Sequence, residues 1–187
     1  MTETEKNQKQ GNTTKHVFAP NNYIAYGSNL NVEQMAYRCP SSAPIGAGEI
    51  LNYALIFRGS QSGNYLTIEP KPGASVPVVI WKIAKRDEEN LDRYEGFPRF
   101  YEKQTFRIRM RDFSDGRVKT VEAMAYIMAP GHRAGLPSKQ YLHVCMDGYK
   151  TFGLDINALE EALQNTRLAM DNDETEDEEV TKYYGED

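Results

Sequence analysis

The sequence predicts an α+β fold built around a small, mixed or mostly antiparallel β-barrel with flanking helices. Segments 45–57 and 100–111 alternate in side-chain character with the period of two that is typical of strands. About six strand-like segments accompany two or three helical ones, without the regular alternation that a parallel sheet requires. Gly46 and Gly48 lie in the first long strand, where they would allow the bending that a barrel wall needs.

The first half of the chain is predicted to supply four strands. These strands are residues 23–26, 45–57, 65–68 and 76–83. Gly27 ends the first, and Asn31 can cap a short helix after it. Residues 59–64 are predicted to form a polar loop, and the prolines at 70 and 72 should end the third strand. The fourth is apolar on both faces, which indicates a central position in the sheet.

The second half is predicted to hold an antiparallel hairpin and three helices. The hairpin strands are residues 100–111 and 118–128, with a turn at 114–116 between them. Arginines that alternate along the first of these strands are interpreted as its solvated face. The helix starts are predicted to be capped by Asp87, Ser138 and Asp155.

The net charge of −5 is concentrated at the C-terminus. Residues 171–187 contain nine acidic residues and one lysine, so the rest of the chain is weakly basic. The expected organisation is a disordered leader at 1–20, one domain at 21–170 and a disordered acidic tail. The tail would repel phosphate, which argues against a nucleic-acid partner.

Two further observations concern the cellular setting. No apolar run approaches the length of a membrane span, so no membrane partner is expected. The only cysteines, Cys39 and Cys145, lie far apart and are interpreted as reduced thiols of a cytoplasmic protein. Cys/His spacing that would suggest zinc is missing, and so are the nucleotide-binding Gly-rich motifs.

Glu95 is a candidate acid/base residue because of its predicted position at a helix end. Gly96 offers the left-handed residue that commonly ends a helix, and Pro98 prevents the helix from resuming. A helix C-terminus carries partial negative charge and disfavours a carboxylate by about 0.3–1 kcal/mol. Shielding by neighbouring aromatic rings would raise the pKa further, toward the range that a general acid or base needs. The alternative interpretation is a solvated carboxylate in a loop.

The turn after the first strand is a second candidate site. Residues 25–30, AYGSNL, join a strand to a helix start, a layout that leaves several backbone N–H groups pointing into one space. Such groups can bind a carboxylate or stabilise an oxyanion. The alternative is an ordinary strand-to-helix turn. Ser28 is interpreted as a positioning donor and not as a nucleophile, because the G-x-S-x-G pattern is missing.

These motifs, in this order, resemble the gamma-glutamylcyclotransferase family, which is also called AIG2-like. The resemblance is carried by residues 25–30 (AYGSNL), 79–83 (VIWKI), 91–96 (LDRYEG), 125–128 (AYIM) and 137–141 (PSKQY). It covers about residues 22–163. It implies a small mixed β-barrel with flanking helices, and an enzyme that converts gamma-glutamyl amines or amino acids to 5-oxoproline, a reaction of glutathione metabolism. It also implies release of the free amine without a metal or organic cofactor.

The resemblance assigns roles to individual residues. Glu95 corresponds to the catalytic glutamate of the family. The substrate-binding positions that it implies are Tyr26, Gly27, Ser28, Asn29, Tyr101 and Tyr141. Val78 stands where the family commonly has glycine, so its side chain could narrow the pocket and change the substrate. The amine leaving group and the oligomeric state, with a homodimer as one option, are left open.

The implied reaction is an intramolecular acyl transfer. The α-amine of the substrate attacks its own γ-carbonyl, while Glu95 takes a proton from that amine and returns it to the leaving nitrogen. Backbone N–H groups of residues 27–29 would hold the oxyanion or the α-carboxylate.

Two other functions stay open on the sequence alone. The same fold could act on a gamma-glutamyl group attached to a larger amine, a peptide side chain or a carrier-bound acyl chain. A non-catalytic module could keep the pocket to bind an acidic small molecule or a protein. The presence of both Glu95 and the 25–30 turn argues against the second option, since a binding module needs no acid/base.

Overall fold

Five strands close into a mixed β-barrel in the computed structural model, which describes residues 21–60 and 62–184, without the side chains of 60 and 174–184. The strands are β1 Asn21–Ala25, β2 Ala43–Ser60, β3 Gly63–Ile83, β4 Tyr101–Asp112 and β5 Val118–Met128. Their order is β3-β1-β5-β4-β2, and β2 pairs with β3 to close the ring. The β1–β5 pairing is parallel, and the others are antiparallel. A short strand β6, Arg133–Ala134, pairs with β2. The predicted fold class is confirmed.

Helices flank the barrel at its ends. In the part of the chain that the structure describes, they are α1 Val32–Arg38, α2 Lys85–Glu95, α3 Lys139–Thr151 and α4 Asn157–Tyr184. A single 3-10 turn, Ser28–Leu30, precedes α1. Within the same described residues, none of these helices combines the length and the apolar character needed to cross a membrane.

Helix caps follow the predicted chemistry with one exception. Asn31, Ser138 and Asp155 each accept a hydrogen bond from a backbone N–H two or three residues later. Asp87 does not cap its helix, because α2 begins earlier, with Ala84 at the N-cap. Asp87 instead lies in the first turn, where its carboxylate accepts from the Ala84 N–H at 3.2 Å. An acid at this position satisfies the N-cap backbone as the second half of a capping box does.

The β2–β3 hairpin is longer and tighter than predicted. The expected loop at 59–64 is mostly strand, since Gly59 pairs with Asn64. The expected stop at the prolines is also wrong, because β3 runs without interruption through residues 69–75. Proline is tolerated where one strand edge has no partner. Only residues 79–83 of β3 pair with β1, so the β3 edge at residues 69–75 makes no hydrogen-bonded pairs with β1.

The core lies inside the barrel and beneath α1, α2 and α3. In β3, the buried residues Val76, Val79, Ile80, Trp81 and Ile83 confirm the predicted central strand, which is flanked by β1 and β2. The arginines of β4 at 107, 109 and 111 are exposed, as predicted for the outer face of the hairpin.

The acidic C-terminal segment differs from the predicted disordered tail, because α4 continues through Tyr184. This helix starts on the barrel, where the Phe57 N–H donates to Thr166 Oγ1 at 2.9 Å and Asn165 Nδ2 donates to a β2 carbonyl at 3.0 Å. Once a helix is nucleated, each added residue gains a backbone hydrogen bond, so glutamate-rich sequence can extend it. The predicted leader at 1–20 lies outside the described residues, as do residues 185–187.

Candidate active site

A small pocket opens at one end of the barrel, between β1, the C-terminal end of α2 and the start of α3. Its lining residues are Tyr23, Tyr26, Gly27, Ser28, Asn29, Leu66, Glu95, Tyr101, Tyr126 and Tyr141. All seven residues that the sequence singles out as site candidates are in this set. The structure therefore brings together two segments that lie more than sixty residues apart in the chain, the 25–30 turn and the end of α2.

Glu95 is the last residue of α2, and its position follows from the local sequence. Gly96 adopts the predicted left-handed conformation (φ 67°, ψ 31°) and ends the helix. Leu91, one turn earlier, is fully buried and fixes the helix against the barrel. The half-buried Glu95 carboxylate faces inward, where its Oε1 accepts a hydrogen bond from Asn29 Nδ2 at 2.9 Å. The alternative of a fully solvated carboxylate does not apply.

Burial raises the pKa of Glu95 from its usual 4.5 to about 7. The hydrogen bond from Asn29 and the positive charge of Arg38 lower this pKa, but by less than burial raises it. The pKa of Glu95 is raised, as the sequence predicts. The principal cause of the rise is desolvation and not the partial charge at the helix end. Near neutral pH, Glu95 can therefore both accept and release a proton.

Asn29 is held by hydrogen bonds at both ends of its amide. Its Nδ2 donates to the Tyr23 hydroxyl at 2.7 Å as well as to Glu95. Its Oδ1 accepts from Arg38 Nη1. With both amide hydrogens and the oxygen engaged, the side chain has a single favoured orientation. Asn29 therefore positions the Glu95 carboxylate through its side chain.

Arg38 is a site residue that the sequence analysis missed. Its guanidinium lies 3.7 Å from the centroid of the Tyr94 ring, and it donates to Gln34 Oε1 at 2.6 Å. At 3.5 Å, its Nη1 also reaches the Ser28 hydroxyl. Arg38 lies in the last turn of α1, and a cation is favoured at the C-terminal end of any helix. Nothing local distinguishes it from a surface arginine, so only the packing of α1 beside α2 reveals its role.

The backbone of the 25–30 segment forms a 3-10 turn beside the pocket, and the anion site there stays a prediction. The first internal hydrogen bonds of the 3-10 turn are donated by the Leu30 and Asn31 N–H groups, each at 3.0 Å. The N–H groups of Ser28 and Asn29 precede these bonds, and both residues line the pocket. A Cβ at Gly27 would lie only 3.2 Å from the Tyr141 hydroxyl, which explains why glycine suits this position.

Tyrosine rings form most of the pocket wall. Tyr101 donates to the Leu66 carbonyl at 3.1 Å, and the Tyr141 hydroxyl accepts from the Leu66 N–H at 3.1 Å. Burial raises the pKa of Tyr26, Tyr101 and Tyr141, so all three stay neutral near pH 7. Tyr23 and Tyr126 also line the pocket but were not predicted. Their strands are predictable from the alternation pattern, whereas the face that meets the pocket depends on barrel closure.

The Val78 side chain does not narrow this pocket. It is fully buried in the hydrophobic core and is not one of the lining residues. The expectation that Val78 changes the substrate through the pocket wall is therefore not supported.

A larger cavity lies between β3, the end of β5 and the loop at 129–133, with a volume of about 550 Å³ against about 30 Å³ for the pocket at Glu95. Its polar side chains are already engaged. Arg58 pairs with Glu69, the Asp173 carboxylate accepts a backbone N–H at 3.3 Å, and Thr67 accepts another at 3.0 Å. None of the predicted site residues lines this cavity, so the smaller pocket is the better candidate. Among the described residues, no group of three or more His, Cys, Asp or Glu could hold a metal ion.

Fold and pocket together define a class of protein: a small mixed barrel in which a glutamate with a pKa of about 7 lines a small pocket. The family model described as "Gamma-glutamyl cyclotransferase, AIG2-like" matches residues 23–143. The chain belongs to this family, and it is an enzyme of this type.

Individual relatives agree with the family match. Gamma-glutamylcyclotransferase of Homo sapiens is 29% identical over 141 residues, which are 72% of each chain. The Bos taurus protein of the same name is 28% identical over 142 residues, with the same coverage. A solved structure named gamma-glutamyl cyclotransferase, 29% identical, superposes with a TM-score of 0.66 and covers 76% of this chain and 85% of its own.

Proposed function

We propose that this enzyme cyclises a gamma-glutamyl amine or gamma-glutamyl amino acid to 5-oxoproline and releases the free amine, with Glu95 as base and then acid. The observation that carries the proposal is the Glu95 carboxyl group. Its pKa is about 7, and it lines one pocket together with Ser28 and Asn29. Family membership and the names of the relatives support the same reaction.

Each step of the reaction has a group in the pocket that can serve it. Ionised Glu95 accepts a proton from the substrate's α-amine, and the freed nitrogen attacks the γ-carbonyl to form a tetrahedral oxyanion. The N–H groups of Ser28 and Asn29 would stabilise the negative charge on this oxygen. When the amide C–N bond breaks, protonated Glu95 gives its proton to the leaving nitrogen. The narrow tyrosine wall favours a folded substrate whose two ends meet, which lowers the entropic part of the barrier.

The setting of the reaction is part of the proposal. The buried, unbridged thiols of Cys39 and Cys145 support a cytoplasmic location. Release of 5-oxoproline from a panel of gamma-glutamyl compounds, measured with the full-length protein, tests the proposal directly. Binding of these compounds without any ring-closed product would instead favour the non-catalytic alternative.

The pH dependence of the reaction should report the ionisation of Glu95. Because the base must be deprotonated in the free enzyme, kcat/KM is expected to rise with pH through a midpoint near 7. An ordinary glutamate would place this midpoint near 4.5. The measurement is the rate of 5-oxoproline release between pH 5 and 9. A rate that is constant over pH 6 to 8 would contradict the assignment of Glu95 as the base.

Arg38→Met is expected to move that midpoint upward. Removing a positive charge that now lowers the Glu95 pKa makes ionisation harder, so the rate at pH 7 should fall by about three- to tenfold and recover in part near pH 9. Arg38→Lys keeps the charge and should lie closer to the wild type. The matched control is Arg93→Met, which removes an exposed arginine of α2 outside the pocket and should leave the profile unchanged. A uniform loss at every pH would indicate a purely structural role for Arg38.

A further inference from the structure

A second cleft continues outward from the pocket, and its composition bears on the identity of the leaving amine. Its lining residues are Ser28, Tyr65, Tyr94, Glu95, Gly96, Phe100, Tyr101 and Tyr141. Four of them also line the inner pocket, so the two spaces adjoin each other at Glu95. The cleft has a volume of about 280 Å³. A small inner pocket beside a larger outer cleft suits a substrate that has a constant gamma-glutamyl group and a variable substituent on its leaving amine.

The reaction geometry directs the leaving group into this cleft. The γ-carbonyl and the scissile nitrogen must lie next to Glu95, because this residue returns the proton to that nitrogen. In the proposed reaction the glutamyl part lies on the inner side of Glu95, beside Ser28 and Asn29. The substituent on the scissile nitrogen then extends to the other side of Glu95, toward Tyr65, Tyr94 and Phe100.

Aromatic rings dominate the part of the cleft that the inner pocket lacks. Tyr65 and Phe100 meet edge to face with their centroids 6.4 Å apart, and Tyr65 meets Tyr141 in the same way at 5.1 Å. Phe100 also packs on His132 at 4.5 Å. These contacts hold both rings in fixed orientations. Tyr94 is half exposed, and the guanidinium of Arg38 stacked upon it keeps its ring in place.

Charge recognition is weak in the same cleft. None of its lining residues is a lysine, arginine or histidine, and its single ionisable carboxyl group is Glu95. The nearby guanidinium of Arg38 is already engaged with Asn29, Gln34 and Tyr94. An aromatic ring buries apolar area in such a site and also makes edge-to-face contacts with the rings that line it. A small or acidic substituent gains neither.

We propose that the cleft formed by Tyr65, Tyr94 and Phe100 is a subsite for an aromatic ring on the leaving amine, so that the favoured substrates are gamma-glutamyl conjugates of aromatic amines. This inference rests on the proposed function, and it adds the chemical class of the released product. The reaction balances without a co-reactant: the amide C–N bond breaks, the lactam C–N bond forms, and one proton passes from the α-amine to the leaving nitrogen.

Two matched pairs of substrates test the inference, and each pair differs only by a phenyl ring. They are gamma-glutamyl-phenethylamine against gamma-glutamyl-ethylamine, and gamma-glutamyl-phenylalanine against gamma-glutamyl-alanine. The aromatic member of at least the first pair is expected to have a kcat/KM about tenfold or more above its partner. The second pair shows whether the ring is recognised on an amino acid as well as on a simple amine.

Two variants connect this ratio to the cleft. Tyr94→Ala and Phe100→Ala are each expected to reduce the aromatic preference several-fold, chiefly through a higher KM for the aromatic substrate. Tyr94 is half exposed on a helix, so its removal should leave the protein folded. Tyr37→Ala is the matched control, because this tyrosine is 88% exposed on α1 and lines neither the cleft nor the pocket. The control should keep the wild-type ratio.

The outcomes separate this inference from the proposed function. If all four compounds are cyclised with ratios near one, or if neither variant changes the ratio, the aromatic subsite is wrong while the cyclase function stands. Turnover of only the alanine or ethylamine conjugate would likewise contradict the aromatic subsite and leave the cyclase function intact. If no gamma-glutamyl compound yields 5-oxoproline, the proposed function fails, and the subsite fails with it.

Discussion

Glu95→Gln is expected to lower kcat for 5-oxoproline formation by about 10²- to 10⁴-fold, the usual contribution of a positioned acid/base group. Glutamine keeps the shape of the side chain, and its amide oxygen can still accept from Asn29. It cannot take the proton of the α-amine, so the loss should appear in kcat and kcat/KM alike. The measurement is a steady-state assay of 5-oxoproline release at pH 8. Turnover at the wild-type rate would rule out the proposed mechanism.

Glu89→Gln provides the matched control for this loss. Glu89 lies on the same helix, α2, but its side chain is exposed and lines no pocket described above. The substitution makes the same chemical change on the same element, so any effect of altered helix charge would appear in both variants. Unchanged turnover in Glu89→Gln would assign the loss to the position of Glu95.

Glu95→Gln is expected to lower the activity but to raise the stability of the folded protein. Because the folded-state pKa of Glu95 is about 7, above the usual 4.5, the folded protein favours the protonated carboxyl group. The contribution of the protonated Glu95 to the free energy of unfolding is fully present below pH 4.5 and is lost as pH rises through 7. Glutamine avoids this loss, so Glu95→Gln should exceed the wild type in free energy of unfolding by about 1–3 kcal/mol at pH 8.5, with little difference at pH 4.5. Urea unfolding at the two pH values measures the difference.

Gly148→Ala is expected to destabilise the protein by about 2–4 kcal/mol and to disturb the pocket from a distance. A Cβ at position 148 would lie 2.5 Å from the Cβ of Leu30 and 2.8 Å from its carbonyl carbon. Backbone atoms cannot move away by a rotamer change, so α3 and the 3-10 turn must separate. That turn carries Ser28 and Asn29, and a shift of about 1 Å there can lower the rate about 100-fold.

Gly148→Ala is expected to destabilise the protein, which is the opposite of the usual effect of replacing glycine by alanine in a helix. In an ordinary helix interior, alanine is about 1 kcal/mol more favourable than glycine. Urea unfolding should nevertheless show a lower free energy for Gly148→Ala, with reduced 5-oxoproline release in the folded fraction. Lys150→Ala, an exposed change in the same helix, should affect neither measurement. A Gly148→Ala protein as stable as the wild type would show that the close approach of α3 to Leu30 is not required.

Local chemistry made several elements of this protein predictable. The left-handed Gly96 behind Glu95 and the caps at Asn31 and Ser138 depend only on residues within about one turn. The alternation along β4 likewise depends on near neighbours, since successive side chains of a strand point to opposite faces. The positions of Glu95 and of the 25–30 turn at element ends followed from such signals, before any knowledge of how the elements pack.

The continuous course of β3 through its prolines could not be predicted in the same way. Proline is a strand breaker where both edges are paired, and it is tolerated where one edge is free. Whether the edge at residues 69–75 is free depends on where β1 ends beside β3, which no local pattern records. The parallel β1–β5 contact has the same origin, because it exists only once the barrel closes.

By itself, the sequence determined most of the elements, the ends at which the carboxylate and the Gly-Ser-Asn turn lie, and the family. Only the tertiary structure decided that Asn29 reaches Glu95 at 2.9 Å across 66 positions of the chain, that Arg38 lies behind both, and that three aromatic rings border the opening. Hydrogen bonds within a turn are fixed by a few dihedral angles. The proton affinity of Glu95 is fixed by burial, which depends on every element that packs around it.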